Sequence, residues 1–532
     1  MAFTSVQFVV FLLLAATSYF LTPKRYRWVT LLIANYIFYF FAGVRYFIYL
    51  LATTITIYFA AVKLGNISAK NKVDFAAAKT ALDKEQKKAW KATFTKKKRM
   101  ILIPALLFNL GILAVLKYSG FVESNLNALF ARFSLGIEMP IHSFLLPLGI
   151  SFYTFQSVAY LIDVYREKYE PERNWAKLAL FISFFPQIVQ GPIGRYNDLA
   201  EQLFRPNSFS FQRVKFGVQL MLWGAFKKLI IADRAKVIVD TIFGYPQTFG
   251  GTYVAVAALV YCVQLYGDFS GGIDIATGAA QVLGIQLEKN FQRPYLATSI
   301  PDFWRRWHIT LGAWFRDYVF YPLSLSKFFM KVGKKGRKLL GNYIGKLLPV
   351  LIPQFIVFFL IGIWHGAEWK YIAFGFYNGT LIVLGILFDQ PFKKLIEKLH
   401  IRTECFSWHL FQVLRTLILV ALGKIITRAP GVGASAYMVR SMVQNWDGNV
   451  LLNGGLLKLG LDIQDLWVLF FASLVFLTVS LLQESGVQIR EALSKQNLMF
   501  RWVIYLAAIF SLILFGVYGL NYNASDFIYR GF

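Results

Sequence analysis

Five histidines are the natural starting point for chemistry: His142, His308, His365, His400 and His409. His365 sits in Ile361-Gly362-Ile363-Trp364-His365-Gly366, at the end of a strongly apolar run. An ionisable residue in such a run is a functional hypothesis by default. A neutral imidazole there is what a general base requires. The plainer reading is a histidine that hydrogen-bonds a neighbouring helix, and position alone leaves both open. His308 lies in Pro301-Asp302-Phe303-Trp304-Arg305-Arg306-Trp307-His308-Ile309-Thr310. Read as one helix, this stretch puts Trp304 and His308 on a common face, four residues apart. Asp302 then suits the helix N-terminus. Arg305 and Arg306 point elsewhere, to lipid phosphates or internal acids. An interfacial helix with a tryptophan belt is the competing reading.

Two carboxylates, Asp268 and Asp274, interrupt the apolar run 253–284 around Phe269-Ser270-Gly271-Gly272-Ile273. Asp268 is expected to pair with Arg316 or Arg293, or to orient a histidine. Gly267 and Gly271 form a small-xxx-small pattern that signals close helix packing. The chain ends in Phe527-Ile528-Tyr529-Arg530-Gly531-Phe532. On composition this is an interfacial aromatic anchor. No metal-binding motif, phosphate-cradling loop or GxSxG elbow is visible. The two cysteines, Cys262 and Cys405, are too few for a disulfide framework or a four-ligand zinc site. Both read as small buried side chains.

The elements that must position these residues follow from composition. The 532 residues are 57% hydrophobic and only 16% charged. Mean hydropathy is +0.51. A soluble domain carries roughly 25% charge, so an ordinary cytosolic protein and a disordered one are both excluded. Apolar stretches near 6–22, 27–42, 45–63, 101–117, 146–163, 176–192, 213–232, 253–284, 347–365, 370–388, 407–427, 464–483 and 501–520 predict an all-α polytopic membrane bundle. It should have about 11 to 13 transmembrane or re-entrant helices. The first stretch lacks a basic n-region and a small-residue cleavage site, so it is expected to remain as a span. Segment 284–345 mixes charge, Trp and Pro, and must line a cavity or lie at an interface.

The formal charge is +28. Eleven Lys/Arg fall between Lys70 and Arg99 against three acids, and a second basic run covers Lys327 to Lys338. The positive-inside rule places loops 64–100 and 327–338 in the cytoplasm and both termini outside. The charge therefore serves orientation and attraction to anionic lipid. Nucleic-acid binding is a poor reading, since the basic residues flank spans and no nucleic-acid module is visible.

Several blocks together resemble the membrane-bound O-acyltransferases, in the bacterial branch that includes alginate O-acetylation proteins. They are Phe185-Pro186-Gln187-Ile188-Val189-Gln190-Gly191-Pro192 and Gln264-Leu265-Tyr266-Gly267-Asp268-Phe269-Ser270-Gly271. Asn290-Phe291-Gln292-Arg293-Pro294-Tyr295 leads into Asp302 through Leu311, and then into Trp314-Phe315-Arg316-Asp317-Tyr318. Trp364-His365-Gly366 closes the set, which spans 146–380 in family order. As a set the blocks are far more specific than any one alone. The stretch after Asp317-Tyr318 departs from the alginate type. It reads Tyr321-Pro322-Leu323-Ser324-Leu325-Ser326 before the basic run, closer to the D-alanyl transfer proteins of teichoic acid modification. Those proteins are much shorter.

The resemblance implies a helical bundle around a central tunnel, in which a cytoplasmic acyl thioester meets an acceptor from outside. It assigns His365 as the central catalytic histidine and His308 as the second. Trp364, Asp268, Asp274, Trp304, Arg305, Arg306, Arg316, Asp317 and Gln187 become supporting or tunnel residues. The donor would be acetyl-CoA or an acyl carrier protein, with no bound cofactor and no metal. The tail Phe527-x-Tyr529-x-x-Phe532 resembles the C-terminus of the one-helix partner in D-alanylation, which implies a brief acyl-Tyr529 relay. A phenol of pKa ~10 leaves more easily than a sugar hydroxyl, so a tyrosyl ester would keep most of the thioester's activation.

The expected organisation is N-terminal spans over 1–145, a catalytic core over 146–390, C-terminal spans over 391–526 and the tail 527–532. The expected activity is acyl transfer, acetyl first, to a cell-surface or extracellular polysaccharide from a bacterial plasma membrane. An extracellular SGNH-type or related transferase and membrane lipid would be partners. D-alanyl transfer to teichoic acid is the nearest rival. A transporter with His365, Asp268 and Asp274 as a proton relay is another class, and a partner-binding scaffold without turnover is a third.

Overall fold

The computed structural model describes residues 1–518. The tail Phe527–Phe532, with Tyr529, lies outside the described residues. Helices make up most of the described chain, and among the described residues no strand forms. One isolated antiparallel bridge joins Phe291 to Trp307. Eight of the described helices are long and apolar enough to cross a membrane, and Val6–Leu21 is a shorter apolar helix beside them. This is the all-α polytopic bundle that the apolar stretches predict.

The chain forms two compact units. The first comprises Met1–Gly217 with Ala276–Glu288. Its centre is the helix Ile150–Tyr165, buried along nearly its whole length. Gly149 starts that helix in the left-handed region (φ 71°), with the Ile188 carbonyl where a Cβ would stand. Only glycine meets both demands. Phe8, Phe11, Phe38 and Phe185 knit the helices Val6–Leu21 and Arg27–Phe40 to the same core, with ring centroids 5.1–6.4 Å apart.

The basic segment 64–100, expected as a loop, is mostly helical. The helix Phe47–Ala78 runs into it, and the helix Lys84–Arg132 begins inside it. Asp83 accepts from the Gln86 amide while the Gln86 side chain accepts from the Asp83 amide. That capping box starts a helix that its Lys- and Ala-rich first turns favour. Lys98 is buried there against Glu167 at 2.7 Å.

The second unit comprises Val218–Ile275 and the described residues from Lys289 onward. The basic run 327–338 is again helical rather than a loop. The stretch Lys327–His365 turns back at Gly341 (φ 82°, ψ 167°). Gly333, Gly336 and Gly345 let the two arms touch, with Pro349 and Leu348 against the first two. Cys405, expected to be buried, is exposed, because it precedes the first turn of Phe406–Arg428 rather than lying within its apolar run. Cys262 is buried as expected.

Two helical runs meet at the heart of this unit. One is Phe211–Ala225, continued by a π-helical turn Phe226–Ala232 and then Asp233–Gly244. The other is Gly251–Val282. A Cβ on Gly271 would stand 2.7 Å from the Gly224 carbonyl, and one on Gly224 would stand 2.5 Å from the Gly271 carbonyl. The small-xxx-small reading of Gly267 and Gly271 therefore describes a real backbone-to-backbone approach.

Gly271→Leu is expected to force these helices apart, an overpacking cost of about 1–3 kcal/mol or more. Gly385, with nothing within 4 Å of a built Cβ, is the control site. Thermal unfolding of detergent-solubilised protein should show a lowered midpoint for Gly271→Leu and none for Gly385→Ala.

Candidate active site

His308 is held where the helix breaks. The first helix of the block, Ile300–Arg306, starts on the Ser299 side chain, which accepts from the Asp302 amide at 3.2 Å. It ends at Trp307, which is extended, and His308 follows in the left-handed region (φ 48°, ψ 51°). Ile309–Phe315 then begins a new helix. Trp304 and His308 therefore do not share one helical face, contrary to the continuous-helix reading. The reason is a local exchange of backbone hydrogen bonds. Gln292 donates to the Arg306 carbonyl and Ile309 to the Asn290 carbonyl, at 2.9 and 3.0 Å.

Asn290 locks this turn. Its Oδ1 accepts from the Thr310 amide at 3.1 Å and from the Thr310 hydroxyl at 2.9 Å, and lies 3.3 Å from His308 Nδ1. His308 is 1% exposed. Burial pushes its imidazole down to about 3, and the nearby Lys424 charge adds to the effect. Its ring is neutral near pH 7.

His365 reaches the same place from another element. It ends the arm that leads out of Gly341 and is 8% exposed. Gly362, one turn earlier, lets the backbone of Trp369–Leu387 close in through the Tyr371 carbonyl. Trp364 lies between the two histidines, with ring centroids 5.8 Å from His308 and 5.1 Å from His365. Tyr371 stacks on His365 at 6.5 Å, and Phe374 meets it edge-on at 5.8 Å. Trp304 donates to Asn378 Oδ1 at 3.2 Å and packs on Phe358 and Phe374. His308, Trp364, His365 and Trp304 thus belong to one aromatic cluster.

Asp268 has another partner than expected. Neither Arg316 nor Arg293 holds Asp268; Lys228 does, at 2.5 Å, and also reaches Asp233 at 2.8 Å. Lys227 pairs with Asp274 at 2.7 Å and donates to Ser270 at 2.8 Å. The wider π-helical turn carries both lysines onto the Gly251–Val282 helix, and the Gly224–Gly271 approach brings their backbones within reach. Nothing in the spacing of Lys227-Lys228 announced this. The available signal was two adjacent cations inside an apolar stretch, which have to find anions somewhere. Phe269 connects the network to the aromatic cluster, 5.0 Å from His308.

Arg306 pairs with Asp302 at 3.0 Å and with Glu484 at 2.8 Å, and Arg293 also binds Glu484. Arg305 reaches Asp302 at 3.3 Å from an exposed position. Two carboxylates of the protein, Asp302 and Glu484, thus receive Arg306. Arg316 and Asp317 pair with each other at 3.2 Å on a second π-helical turn, Arg316–Phe320. Gln187 belongs to the first unit, where its amide nitrogen donates to the Pro192 carbonyl at 3.0 Å. Among the described residues no group of His, Cys, Asp and Glu could hold a metal ion.

Two buried histidines pack against one indole; burial suppresses the basicity of His308, which suits it to orient a reactant, and leaves His365 as the candidate to take a proton from a hydroxyl. That is the chemistry of acyl transfer to an alcohol. Comparison with known proteins points the same way. Residues 172–340 match the membrane-bound O-acyltransferase family. A probable alginate O-acetylase AlgI of Pseudomonas syringae pv. tomato is 32% identical over 482 residues, covering 90% of this chain and 81% of that protein. A peptidoglycan O-acetyltransferase of Helicobacter pylori is 28% identical over 442 residues, covering 78% of this chain and 73% of that protein. A teichoic acid D-alanyltransferase of Bacillus subtilis is 30% identical over 261 residues, covering 48% and 62%.

Two outcomes are expected. Asn290→Ala removes the Oδ1 that accepts from the Thr310 amide and hydroxyl, a cost of about 1–3 kcal/mol, and lowers activity through His308. The second concerns acid stability. The folded-state pKa of His308 lies below its unfolded value, so the unfolded chain binds the extra proton. The stabilisation is complete above about 6.5 and is lost as pH falls towards about 3. The unfolding midpoint of His308→Gln, measured against the wild type, should therefore gain on it as the buffer is acidified.

Proposed function

Because the chain belongs to the membrane-bound O-acyltransferase family, we propose that this multi-pass membrane enzyme moves an acetyl group to a cell-surface or extracellular polysaccharide. The donor in this reading is a cytoplasmic thioester, acetyl-CoA or an acyl carrier protein. The membrane is the bacterial plasma membrane, with both termini outside and the basic segments 64–100 and 327–338 inside. His365 is the general base and His308 orients the donor. The hydroxyl oxygen attacks the thioester carbonyl while His365 takes its proton. The C–S bond then breaks, and the departing thiolate recovers the proton from His365.

Tyr529 is the first acceptor in this reading. Its phenolic ester passes the acetyl group to an extracellular SGNH-type or related transferase, which completes delivery. The observation that carries the choice of acetyl is the extent of similarity. The two acetylating relatives align with 90% and 78% of the chain, the D-alanylating one with 48%. The paired lysines also favour a transferase over a proton-relay transporter, since Asp268 and Asp274 are already neutralised by Lys228 and Lys227.

The test is the intact mass of the C-terminal peptide from purified protein supplied with acetyl-CoA. The wild type should carry one acetyl group on Tyr529, and His365→Ala and Tyr529→Phe none. Base-labile esters on the surface polymer should be lost in both variants. Esters that persist in the Tyr529→Phe strain would remove the relay. A D-alanyl adduct in place of acetyl would identify the rival donor.

A further inference from the structure

Lys424 is a buried cation that this mechanism does not use. It lies on the helix Phe406–Arg428 and is 5% exposed. Its Nζ stands 4.6 Å from the Trp307 ring centroid, 5.5 Å from Phe374 and 6.0 Å from Phe303. Trp307 is the residue before His308, and Phe374 packs edge-on against His365. Lys424 thus occupies the same aromatic cluster as both histidines.

Its surroundings differ from those of the other buried lysines. Lys98, Lys227 and Lys228 each hold a carboxylate within 2.8 Å. Among the described residues no carboxylate forms an ion pair with Lys424. Burying an ammonium is costly, and aromatic faces return only part of that cost. The remainder is a standing demand for an anion at this spot. A bound phosphate group would normally be met by several donors. A single ammonium enclosed by rings suits one oxygen atom that becomes negative only briefly.

We propose that Lys424 is a catalytic residue whose ammonium stabilises the oxyanion of the tetrahedral intermediate. The inference rests on the acyl-transfer reading above. As the acceptor oxygen bonds to the thioester carbonyl carbon, the carbonyl π electrons move onto its oxygen, and His365 holds the acceptor's proton. Lys424 faces that negative oxygen. When the carbonyl re-forms, the C–S bond breaks and the thiolate takes the proton from His365. Lys424 ends unchanged, so no other reactant is needed.

The test compares wild type, Lys424→Met, Lys424→Arg and His365→Ala as purified full-length chains. Each is given acetyl-CoA, and in a parallel arm an aminoacylated carrier thioester, with thiol release followed over donor concentration. Lys424→Met should lower kcat by about 10²- to 10³-fold, the usual cost of one oxyanion donor. KM for the donor should stay within about twofold. Lys424→Arg, which keeps the cation, should recover part of kcat. Unfolding midpoints should show that both variants fold, since methionine fills the lysine's volume without a charge. A kcat for Lys424→Met within about twofold of the wild type overturns the inference. So does a rise in KM alone, which would make Lys424 a binding site for the donor's permanent anion. Equal losses in the Met and Arg variants would make the residue structural and also overturn it. His365→Ala separates the two claims: wild-type turnover there defeats the acyl-transfer reading itself.

Discussion

A helical bundle tolerates a broken helix only where the freed backbone groups find partners inside the protein. The stretch from Asn290 to Thr310 meets that constraint, and the position of His308 depends on it. Gln292, Ile309 and Thr310 spend their amides on Arg306, Asn290 and the Asn290 side chain. Those bonds replace the helical ladder at the point where it stops. They also fix His308 in a left-handed conformation that costs a non-glycine residue about 1–3 kcal/mol to hold. A continuous helix would have aimed the histidine one way with its neighbours. The break turns it towards Trp364, where a second histidine is already placed by the close approach at Gly362.

Charge is distributed around that turn by a similar economy. The interior of the second unit holds Lys227, Lys228 and Lys424 as buried cations. Asp274, Asp268 and Asp233 face two of them, so that network sets three carboxylates against two ammonium groups. Such an arrangement contributes more to register than to net stability, because desolvation cancels much of the attraction. It fastens the π-helical turn to the Gly251–Val282 helix and, through Phe269, limits how His308 can lean. Lys424 stands apart because its neighbours are rings.

The sequence made the fold class legible because apolar run length is a strong signal in membrane proteins. It also isolated His308 and His365, since histidines among so many apolar residues are rare and their flanking motifs are specific. What it concealed were the features that depend on helix irregularity. A spacing of four predicts a shared face only if the helix continues, and at Trp307 it does not. Asp268 was expected to pair with Arg316 or Arg293 or to orient a histidine. Lys228, which holds it, is 40 residues away, and a π-helical turn brings it round. The basic segments were readable as charge but not as helix. Lysine-rich helices that emerge from an apolar stretch resemble loops in composition, and only a capping box such as Asp83–Gln86 reveals their start. Cys405 misled for a related reason: an apolar run says little about the orientation of the residue that precedes it.

On the proposed mechanism, energy scales apportion the work of acyl transfer within the cluster. General-base catalysis supplies typically 10²–10⁴-fold, or about 3–5.5 kcal/mol. Electrostatic help at the carbonyl oxygen is worth about 2.7–4 kcal/mol per donor. Together these reach only the lower end of an enzyme's usual 8–23 kcal/mol, so positioning and exclusion of water must supply the rest of any larger enhancement. The aromatic enclosure serves both ends. Trp304, Trp307, Trp364 and Phe374 leave little room for water, which strengthens each charge-dipole interaction within it. They also fix the ring planes of the two histidines against rigid neighbours rather than against mobile loops. On this account the density of indole and phenyl groups around His308 and His365 is part of the chemistry, because a base that could rotate freely or be hydrated would lose most of its advantage.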